Sequence, residues 1–504
     1  MLMTAAGYRD SLRAYKPRVF VNGMSVASVA DEPLFAPGIA AVGVTYDLAH
    51  RPEHKGLMTS RQGTSGKAVN RMLHIDETST DLLHKLEAVR LVCRTSGCAQ
   101  RYLAHDALNG LFQATKRIDD QHGTDYRQRF LAYLHDVQDR DLALGIAMTD
   151  AKGDRSKRPG LQANPDVYVH IKERRPGGIV INGTKAIVTG APYMHEFLVM
   201  PCRTHTPEDR AFAVCCAVPI DAPGVTIVAR PAGRPGDAGA TFSAKYGQSL
   251  GVVIFDNVFV PYERVFVDGQ TEEGGLLTTA YATHHRHSCI GARAGFGDLL
   301  IGAGALMIEA NGLDPDHHAH IREAMVELIT ITEGFYACGV AASVYCAKDP
   351  AGSVIPDAVF SNIGKLLLAT KIYDMHKLAH YVSGGIIVAL PGPDEDHNPE
   401  TRASLTAVLG GRADIPVEHR IEVARLIEDL TVSHEAGWYS VISLHGGGSP
   451  EAMKREIWRN YPVMEKVELV QNLLDRGVLD QGKRVSEQPG RCCATGCKVP
   501  SAPI

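Results

Sequence analysis

Residues 147–192 read AMTDAKGDRSKRPGLQANPDVYVHIKERRPGGIVINGTKAIVTGAP, and this stretch decides the fold. Its first part, 147–159, combines charge with Gly and Pro, which predicts a loop. Short runs rich in Val and Ile follow, separated by turn signals, and they continue to about residue 270. No helical pattern lies between these runs. The sequence therefore predicts an antiparallel β unit over about 149–270, and not a doubly wound sheet.

The segments on either side of the β unit have helical patterns. Residues 76–139 carry apolar residues at helical spacing, and 127–147 read as a further helix. Beyond residue 274, long apolar stripes recur to about 480, including a single predicted helix over 418–447. Residues 1 to about 45 read as irregular. We therefore predict an α+β chain with four parts: a mostly helical N-terminal domain (1–147), a β-barrel-like domain (148–273), a C-terminal helical bundle (274–485) and a tail (486–504).

The charge balance bears on the expected partners. The 504 residues include 52 Lys and Arg and 57 Asp and Glu, so the net charge is −5 with neutral histidine. This balance is not that of a nucleic-acid binder or a polybasic membrane protein. No uninterrupted apolar run reaches the roughly 18 residues of a membrane span, and the N-terminus lacks the apolar core of a secretory signal. We expect a cytoplasmic protein that binds neither nucleic acid nor membrane.

The cysteines and the helical stripes predict two further properties. Eleven cysteines are an odd number for a disulfide framework. Most are expected to be buried small apolar side chains. The exceptions are Cys98, Cys289 and a tail group whose role the sequence leaves open: Cys492, Cys493 and Cys497. The apolar stripes of 322–347 and 360–390 are broader than one chain covers, which predicts a dimer at least.

Two segments of the β unit offer groups suited to a flavin. The first, 147–156, supplies a hydroxyl, free backbone donors and an Asp–Arg–Ser cluster, which suit a ring edge and a pyrophosphate. The second, 184–192, ends a strand with the hydroxyl of Thr189 and the amide of Gly190, which could donate to a flavin ring. The alternatives are a charged surface turn and a plain hairpin.

Taken together, these segments resemble the 4-hydroxybutyryl-CoA dehydratase and 4-hydroxyphenylacetate 3-hydroxylase superfamily, most closely its dehydratase branch. FDNVFVPYERVF (255–266), NPETR (398–402) and SLHGGGSP (443–450) match as well. The resemblance implies an acyl-CoA-dehydrogenase-like fold and a homotetramer with FAD between the β unit and the helical bundle. It also implies the residues that line the FAD site: Met148, Thr149, Asp154, Arg155, Ser156 and Thr189, with Gly384 and Gly385 from a neighbouring subunit.

The dehydratase branch implies a [4Fe–4S] cluster held by three cysteines and one histidine. Cys98 and His285 stand at two of these positions, whereas Tyr102 and Ala292 stand where cysteines are expected. A phenol is a poor cluster ligand and a methyl group is none. If a cluster exists, its ligands would be Cys98, His285 and Cys289, and the cysteines of the tail could supply more. We expect no cluster and read Cys98 and Cys289 as buried thiols.

Neither branch of the superfamily is matched completely. The active-site glutamate of the dehydratases aligns with Ile442, and Glu435 is a possible substitute. In the hydroxylase branch a tyrosine that contacts the substrate occupies the position of Tyr102. The histidine of that branch near the flavin loop is Ile146 here, and its arginine is Cys98. The alternative for Tyr102 is an aromatic residue of the core.

The run THHRHS (283–288) gathers basic side chains within one segment. In the resemblance, His285 and Arg286 face the flavin as acid, base or anion ligand. The alternative is a set of surface residues at a helix start. We therefore predict Tyr102, His285 and Arg286 as the catalytic residues.

The combined interpretation is a FAD-dependent oxidoreductase, a monooxygenase acting on an aromatic or related small substrate. A separate reductase would supply reduced flavin, unless the protein holds FAD tightly. The alternative is a lyase or isomerase acting on a CoA thioester, of the 4-hydroxybutyryl-CoA dehydratase or vinylacetyl-CoA Δ-isomerase type, with His285 as base. A third possibility is a flavin-binding homologue without catalysis.

Overall fold

The computed structural model describes residues 2–98 and 100–476, so the cysteine tail with Cys492, Cys493 and Cys497 lies outside the described residues. The N-terminal part comprises six helices and four short strands. The helices are α1 (Ala5–Leu12), α2 (Ala36–Asp47), α3 (Pro52–Met58), α4 (Ser79–Ser96), α5 (Arg101–His122) and α6 (Tyr126–Arg140). The strands are β1 (Arg18–Val21), β2 (Met24–Ser25), β3 (Thr59–Arg61) and β4 (Ala68–Asn70).

The N-terminal segment is ordered, so the prediction of an irregular stretch over residues 1–45 is wrong. Thr4 caps α1 by accepting a hydrogen bond from the Gly7 amide at 3.0 Å. Strand β1 pairs in parallel with a strand that lies some two hundred residues later, with Arg18 opposite Thr226. The segment is therefore structured by long-range pairing, which local sequence patterns do not reveal.

The helices predicted over 76–139 are confirmed as α4, α5 and most of α6. Thr78 and Asp81 form a capping box at the start of α4. Helix α6 ends where Asp141 takes a left-handed φ of 50°. The residues that follow are therefore not the end of a helix, as 127–147 predicted, but the strand β5 (Leu144–Ala147).

Eight strands from β5 onward build the central part. The others are β6 (His170–Arg175), β7 (Gly178–Thr189), β8 (Glu196–Val199), β9 (Val214–Pro219), β10 (Val225–Ala229), β11 (Leu250–Pro261) and β12 (Val265–Asp268). One sheet has the order β2-β1-β10-β11-β7-β6 and the other β12-β9-β8-β5. The two sheets share one apolar core. The predicted strands are confirmed, but the purely antiparallel arrangement is wrong, because β1 with β10 and β5 with β8 pair in parallel.

The C-terminal part is helical apart from a two-stranded ribbon, β13 (Ala347–Lys348) and β14 (Val354–Ile355). Its helices are α7 (Thr271–Ala310), α8 (Ala319–Val344), α9 (Ala358–Ser383), α10 (Arg402–Leu409), α11 (Val417–Thr431), α12 (His434–His445), α13 (Pro450–Asn460) and α14 (Val463–Arg476). The single helix predicted over 418–447 is divided, because Ser433 accepts a hydrogen bond from the Ala436 amide and starts α12 anew. The predicted α+β class, with its order of helical, β and helical parts, is confirmed.

Helix α7 runs through the centre of the molecule and packs against α4, α5, α8 and α9. Helices α7 and α8 are both long and apolar enough to cross a membrane. In α7 this composition is explained by burial inside the protein, since 67% of its most apolar window is buried. In α8 the share is 28%, and apolar side chains such as Val326 and Ile329 are exposed.

Candidate functional site

A short loop between α4 and α5 links the β unit to the C-terminal helices. Gly97 ends α4 with a φ of 70°, and a side chain there would collide with the hydroxyl of Tyr439. The carbonyl of Cys98 accepts a hydrogen bond from the side-chain amide of Gln248. Gln100 has a φ of 60° and lies against Gly190, at the end of β7. This loop therefore places Cys98 between the strand end and helix α12.

Tyr102 lies in the first turn of α5 and is buried. Its hydroxyl is 3.4 Å from the Sγ of Cys98, in the loop that precedes α5. Its ring stacks on the imidazole of His285, with 6.1 Å between the centroids and 16° between the planes. Burial raises the pKa of Tyr102 well above its usual value, and the Cys98 and Cys289 thiols add to the rise. The phenol is therefore held in its protonated form.

His285, on α7, connects a carboxylate to a thiol. Its Nδ1 is 3.0 Å from Oδ2 of Asp106, and its Nε2 is 3.6 Å from Sγ of Cys289. Burial alone would lower the pKa of His285, because it disfavours the charged imidazole. The interactions with Cys289 and Asp106 outweigh burial, so the pKa of His285 is raised. For the Cys289 thiol, burial alone would raise the pKa. The neighbouring His285 outweighs burial, so the pKa of Cys289 is lowered overall. A carboxylate, an imidazole and a thiol in this order can hold and transfer a proton.

Asp106 is the fixed point of this arrangement. Its Oδ1 accepts a hydrogen bond from the hydroxyl of Ser288 at 2.6 Å and lies 3.5 Å from the ammonium of Lys85. Burial raises the pKa of Asp106, but Lys85, His105 and His285 lower it to a net value well below the usual range. The carboxylate therefore stays ionised and orients His285. Asp106 follows Tyr102 by four residues on α5, so helical spacing could have revealed it.

Arg286 is buried, and its guanidinium is used by neighbouring protein groups. Its Nε donates to the carbonyl of Gly447 at 2.9 Å, and its Nη1 donates to the side-chain oxygen of Asn362 at 2.8 Å. Gly447 lies in the loop of the SLHGGGSP run, with a φ of 75°, and a Cβ there would come within 3.3 Å of the His285 ring. Arg286 therefore holds this glycine loop against His285.

Three of the predicted flavin residues lie at strand ends: Met148 and Thr149 directly follow β5, and Thr189 is the last residue of β7. The carbonyl of Thr149 accepts a hydrogen bond from the Ala186 amide of β7 at 2.9 Å, and the carbonyl of Met148 accepts one from Lys185 at 2.8 Å. Thr189 ends β7 and is half-buried. Among the described residues, no hydrogen bond engages the hydroxyls of Thr149 and Thr189. The amide of Gly190 donates to the Ser249 carbonyl at 2.9 Å, so the prediction that it is free to bind a flavin is wrong.

The remaining predicted flavin residues are exposed. Asp154 accepts hydrogen bonds from the amide and hydroxyl of Ser156, at 3.1 and 2.7 Å, in a loop where Arg155 is also exposed. Gly384 and Gly385 follow α9, and both have positive φ angles. The structure brings neither group into contact with Tyr102 or His285.

Buried polar atoms without partners surround Cys98. Both side-chain atoms of Gln100, Oε1 of Gln248, Oε2 of Glu435 and the hydroxyl of Tyr439 have no hydrogen-bond partner among the described residues. Such atoms are costly to bury unless a ligand or water satisfies them. Glu435 accepts a hydrogen bond from the Gln248 amide at 2.9 Å, and burial raises its pKa to about 7, against the opposing effect of Arg230. No signal in the sequence marked Gln248.

The conditional metal ligands are Cys98, His285 and Cys289, and each makes a contact within the protein. Cys98 contacts Tyr102, and Cys289 contacts His285. Within residues 2–98 and 100–476, no group of three His, Cys, Asp or Glu side chains has the geometry to hold a metal ion. Ala292 is buried on α7 and offers no donor. This donor set does not fit a four-ligand cluster.

Comparisons with known proteins give consistent matches over nearly the whole chain. Family models described as the N-terminal and C-terminal parts of 4-hydroxyphenylacetate 3-hydroxylase match residues 4–267 and 275–475. The chain is 33% identical over 485 residues to a 4-hydroxybutyryl-CoA dehydratase/vinylacetyl-CoA Δ-isomerase of Clostridium aminobutyricum, covering 93% of this chain and 98% of the relative.

Two solved structures have the same fold. An oxygen-tolerant archaeal 4-hydroxybutyryl-CoA dehydratase from N. maritimus superposes with a TM-score of 0.90 at 34% identity, covering 97% of each chain. The oxygenase component of 4-hydroxyphenylacetate 3-monooxygenase, complexed with FAD and 4-hydroxyphenylacetate, superposes with a TM-score of 0.83 at 23% identity. That match covers 94% of this chain and 99% of the other.

Proposed function

Because the chain belongs to the 4-hydroxyphenylacetate 3-hydroxylase family, we propose that it is a FAD-dependent monooxygenase acting on an aromatic or related small substrate. The observation that carries this choice is the placement of Tyr102. Its phenol lies between Cys98 and His285, where the dehydratase resemblance implies a cluster ligand. A protonated phenol suits hydrogen bonding to a substrate and is poorly suited to holding iron.

The residues at the end of β7 fit a flavin. The hydroxyls of Thr149 and Thr189 are unengaged by other described residues, and the orphaned amide of Gln100 lies beside Gly190. FAD, when bound there, supplies the redox chemistry with oxygen. The solved relative that holds FAD supports this cofactor. We assign Met148 to the same site and the exposed residues Asp154, Arg155, Ser156, Gly384 and Gly385 to its outer contacts, the two glycines from a neighbouring subunit.

The chain's own side chains would position the substrate and move its proton. Tyr102 would donate a hydrogen bond to a substrate oxygen. His285 would take or return the proton at Nε2, while Asp106 fixes its ring through Nδ1. Arg286 acts through Gly447 and keeps the glycine loop closed over His285. The burial of all these groups would exclude water from the reacting atoms.

A second candidate is a lyase or isomerase acting on a CoA thioester. The 33% and 34% identities to 4-hydroxybutyryl-CoA dehydratases favour it. The pair His285–Cys289 would supply the base for such a reaction. Glu435 is buried near Cys98 and would be a further proton carrier. The donor set around Cys98 gives this candidate no complete cluster site.

The proposal includes a reductase partner, self-assembly and a cellular location. The solved relative is the oxygenase component of a monooxygenase, which supports a separate reductase as supplier of reduced flavin. Apolar side chains exposed on α8 and α9 support a homotetramer: Val326, Ile329, Leu367, Tyr373 and Tyr381. We place the protein in the cytoplasm.

The test combines absorption spectra with turnover. Purified protein is mixed with reduced FAD, oxygen and a panel of phenols, and oxygenated products are sought by mass spectrometry. Tyr102→Phe should bind FAD like the wild type but lose turnover, whereas the matched change at the exposed Tyr461 should have no effect. Stoichiometric iron and sulfide, lost in Cys98→Ala, together with conversion of a CoA thioester without oxygen, would overturn the monooxygenase and favour the second candidate.

A further inference from the structure

Three cationic side chains are buried where α7, α9 and α12 meet: Arg286, Arg293 and Lys365. Two of them converge on one residue. The Nε of Arg293 donates to the hydroxyl of Ser443, and the ammonium of Lys365 donates to the Ser443 carbonyl, both at 2.5 Å. Like charges held this close in a buried setting repel each other strongly. The three cations therefore form a positive centre inside the protein.

No carboxylate among the described residues forms an ion pair with this centre, although Glu456 acts on Arg286 from a greater distance. Within the described ranges, no Asp or Glu lies within 4.0 Å of the charged nitrogens of Arg286, Arg293 or Lys365, the limit for an ion pair. Other buried cations of the chain are paired. Lys85 lies 3.5 Å from Asp106, and Arg101 lies 2.6 Å from Asp141. An uncompensated buried charge lowers the stability of the fold, so we expect an anion to bind at the positive centre.

The neighbours of Arg293 present unused donors. Its Nη1 is buried and has no hydrogen-bond partner among the described residues. Its guanidinium lies 5.6 Å from the ring centroids of both Trp438 and Tyr439. The indole nitrogen of Trp438 and the hydroxyl of Tyr439 are likewise buried and unpaired. Three donors, one of them charged, match a planar oxyanion better than a neutral group.

The position of Arg293 ties this centre to the candidate site. His285, Cys289 and Arg293 follow one another at intervals of four residues on α7, so they share one helix face. Tyr439 lies against Gly97, beside Cys98. We propose that Arg293, supported by Lys365, binds the carboxylate of the substrate, so that the enzyme takes small organic acids. The proposal names the substrate class of the proposed enzyme and rests on it to that extent.

The thiols offer a competing explanation. Cys98 and Cys289, if ionised, would themselves neutralise the positive centre, and no ligand would then be needed. The two explanations differ in what the loss of Arg293 does. Without a ligand, an uncompensated guanidinium destabilises the fold, so Arg293→Met should raise the melting temperature in buffer without carboxylates. If the thiols compensate the charge, the same variant should melt lower than the wild type.

The binding test uses benzoate, with neutral benzamide as the isostere, on the full-length protein. Trp438 is the reporter, because the chain has two tryptophans and Trp458 is exposed and can be changed to Phe. Benzoate should quench or shift the fluorescence saturably and bind at least tenfold more tightly than benzamide. Arg293→Gln should lose that preference, whereas Arg412→Gln, at an exposed site paired with Asp414, should keep it.

Equal binding of benzoate and benzamide, no benzoate binding, or a benzoate preference retained in Arg293→Gln would each overturn the proposal. FAD binding is measured on the same samples. If benzoate binds through Arg293 while the protein neither binds FAD nor oxygenates a substrate, the anion site stands and the proposed function fails. If FAD binds and turnover of neutral substrates occurs without any role for Arg293, the proposed function stands and the anion site fails.

Discussion

Replacement of Glu435 by Gln should stabilise the protein at neutral and alkaline pH and have little effect near pH 5. Glu435 is fully buried at the start of α12. One carboxylate oxygen accepts a hydrogen bond from the backbone amide of Gln248, and the other has no hydrogen-bond partner among the described residues. Arg230 lies 3.7 Å away but is partly exposed. Burial therefore dominates, and it raises the pKa of Glu435 from 4.5 to about 7.

The sign and size follow from proton linkage. Between pH 4.5 and 7 the unfolded chain has lost the proton of Glu435 while the folded chain retains it. The free energy of unfolding therefore falls as pH rises through this window. At about 1.4 kcal/mol per pKa unit, the loss is about 3 kcal/mol and is complete by about pH 8. Glutamine keeps the shape of the side chain and cannot ionise, so Glu435→Gln should escape this loss.

The assay is urea denaturation of wild type and Glu435→Gln at half-unit steps from pH 5 to pH 8.5. The difference in unfolding free energy between the two proteins isolates the contribution of residue 435 and should grow toward high pH. Glu422→Gln, on the exposed side of α11, serves as the control and should give a difference that does not change with pH. A flat difference for Glu435→Gln, or one that grows toward low pH, would refute the reasoning from burial.

Three further results are expected. Thr149→Ala combined with Thr189→Ala should weaken FAD binding at least tenfold in equilibrium dialysis, because both hydroxyls lie free beside β7; unchanged binding would show that FAD lies elsewhere. Asp106→Asn should lower the unfolding free energy by about 3–5 kcal/mol, because it removes the carboxylate that lies within ion-pair distance of the buried Lys85; a loss below about 1 kcal/mol would mean that the pair is not buried as described. Light scattering at micromolar concentration should give a tetramer mass, which Val326→Glu on α8 should reduce, and a monomeric wild type would contradict the proposed assembly.

The parts of the fold that the sequence predicts are those governed by local periodicity. The helices of 76–139 and the strands β10 and β11 show a repeat that fixes which side faces the core. Strand β5 shows no such repeat, because its four residues are all buried. A short apolar run of this kind is equally compatible with a helix, so the sequence does not identify the strand. The pairing of β1 with β10 depends on contacts between distant parts of the chain, which no local pattern encodes.

The same division holds at the candidate site. His285 and Cys289 stand four residues apart on α7, so helical geometry brings them together, whereas Cys98 reaches Tyr102 from the loop before α5. Gln248 reaches Glu435 from a different part of the fold, across 187 positions. That contact exists only because the loops and α12 pack around Cys98, and only the tertiary structure reveals it.

The charges along α7 show how the two ends of the site differ. The positive charge of His285 is paired with the carboxylate of Asp106, which orients the ring and keeps it available for proton transfer. Arg293 lies eight residues later, about 12 Å along the helix axis. Among the described residues no carboxylate pairs with its guanidinium, and its Nη1 has no hydrogen-bond partner. Lys85 and Arg101 are paired with carboxylates, whereas Arg293 has no ion-pair partner among the described residues and lies beside unused donors of Trp438 and Tyr439. In the proposed binding mode, the acid group of a substrate would lie at Arg293 and its reacting end would point toward His285 and Tyr102.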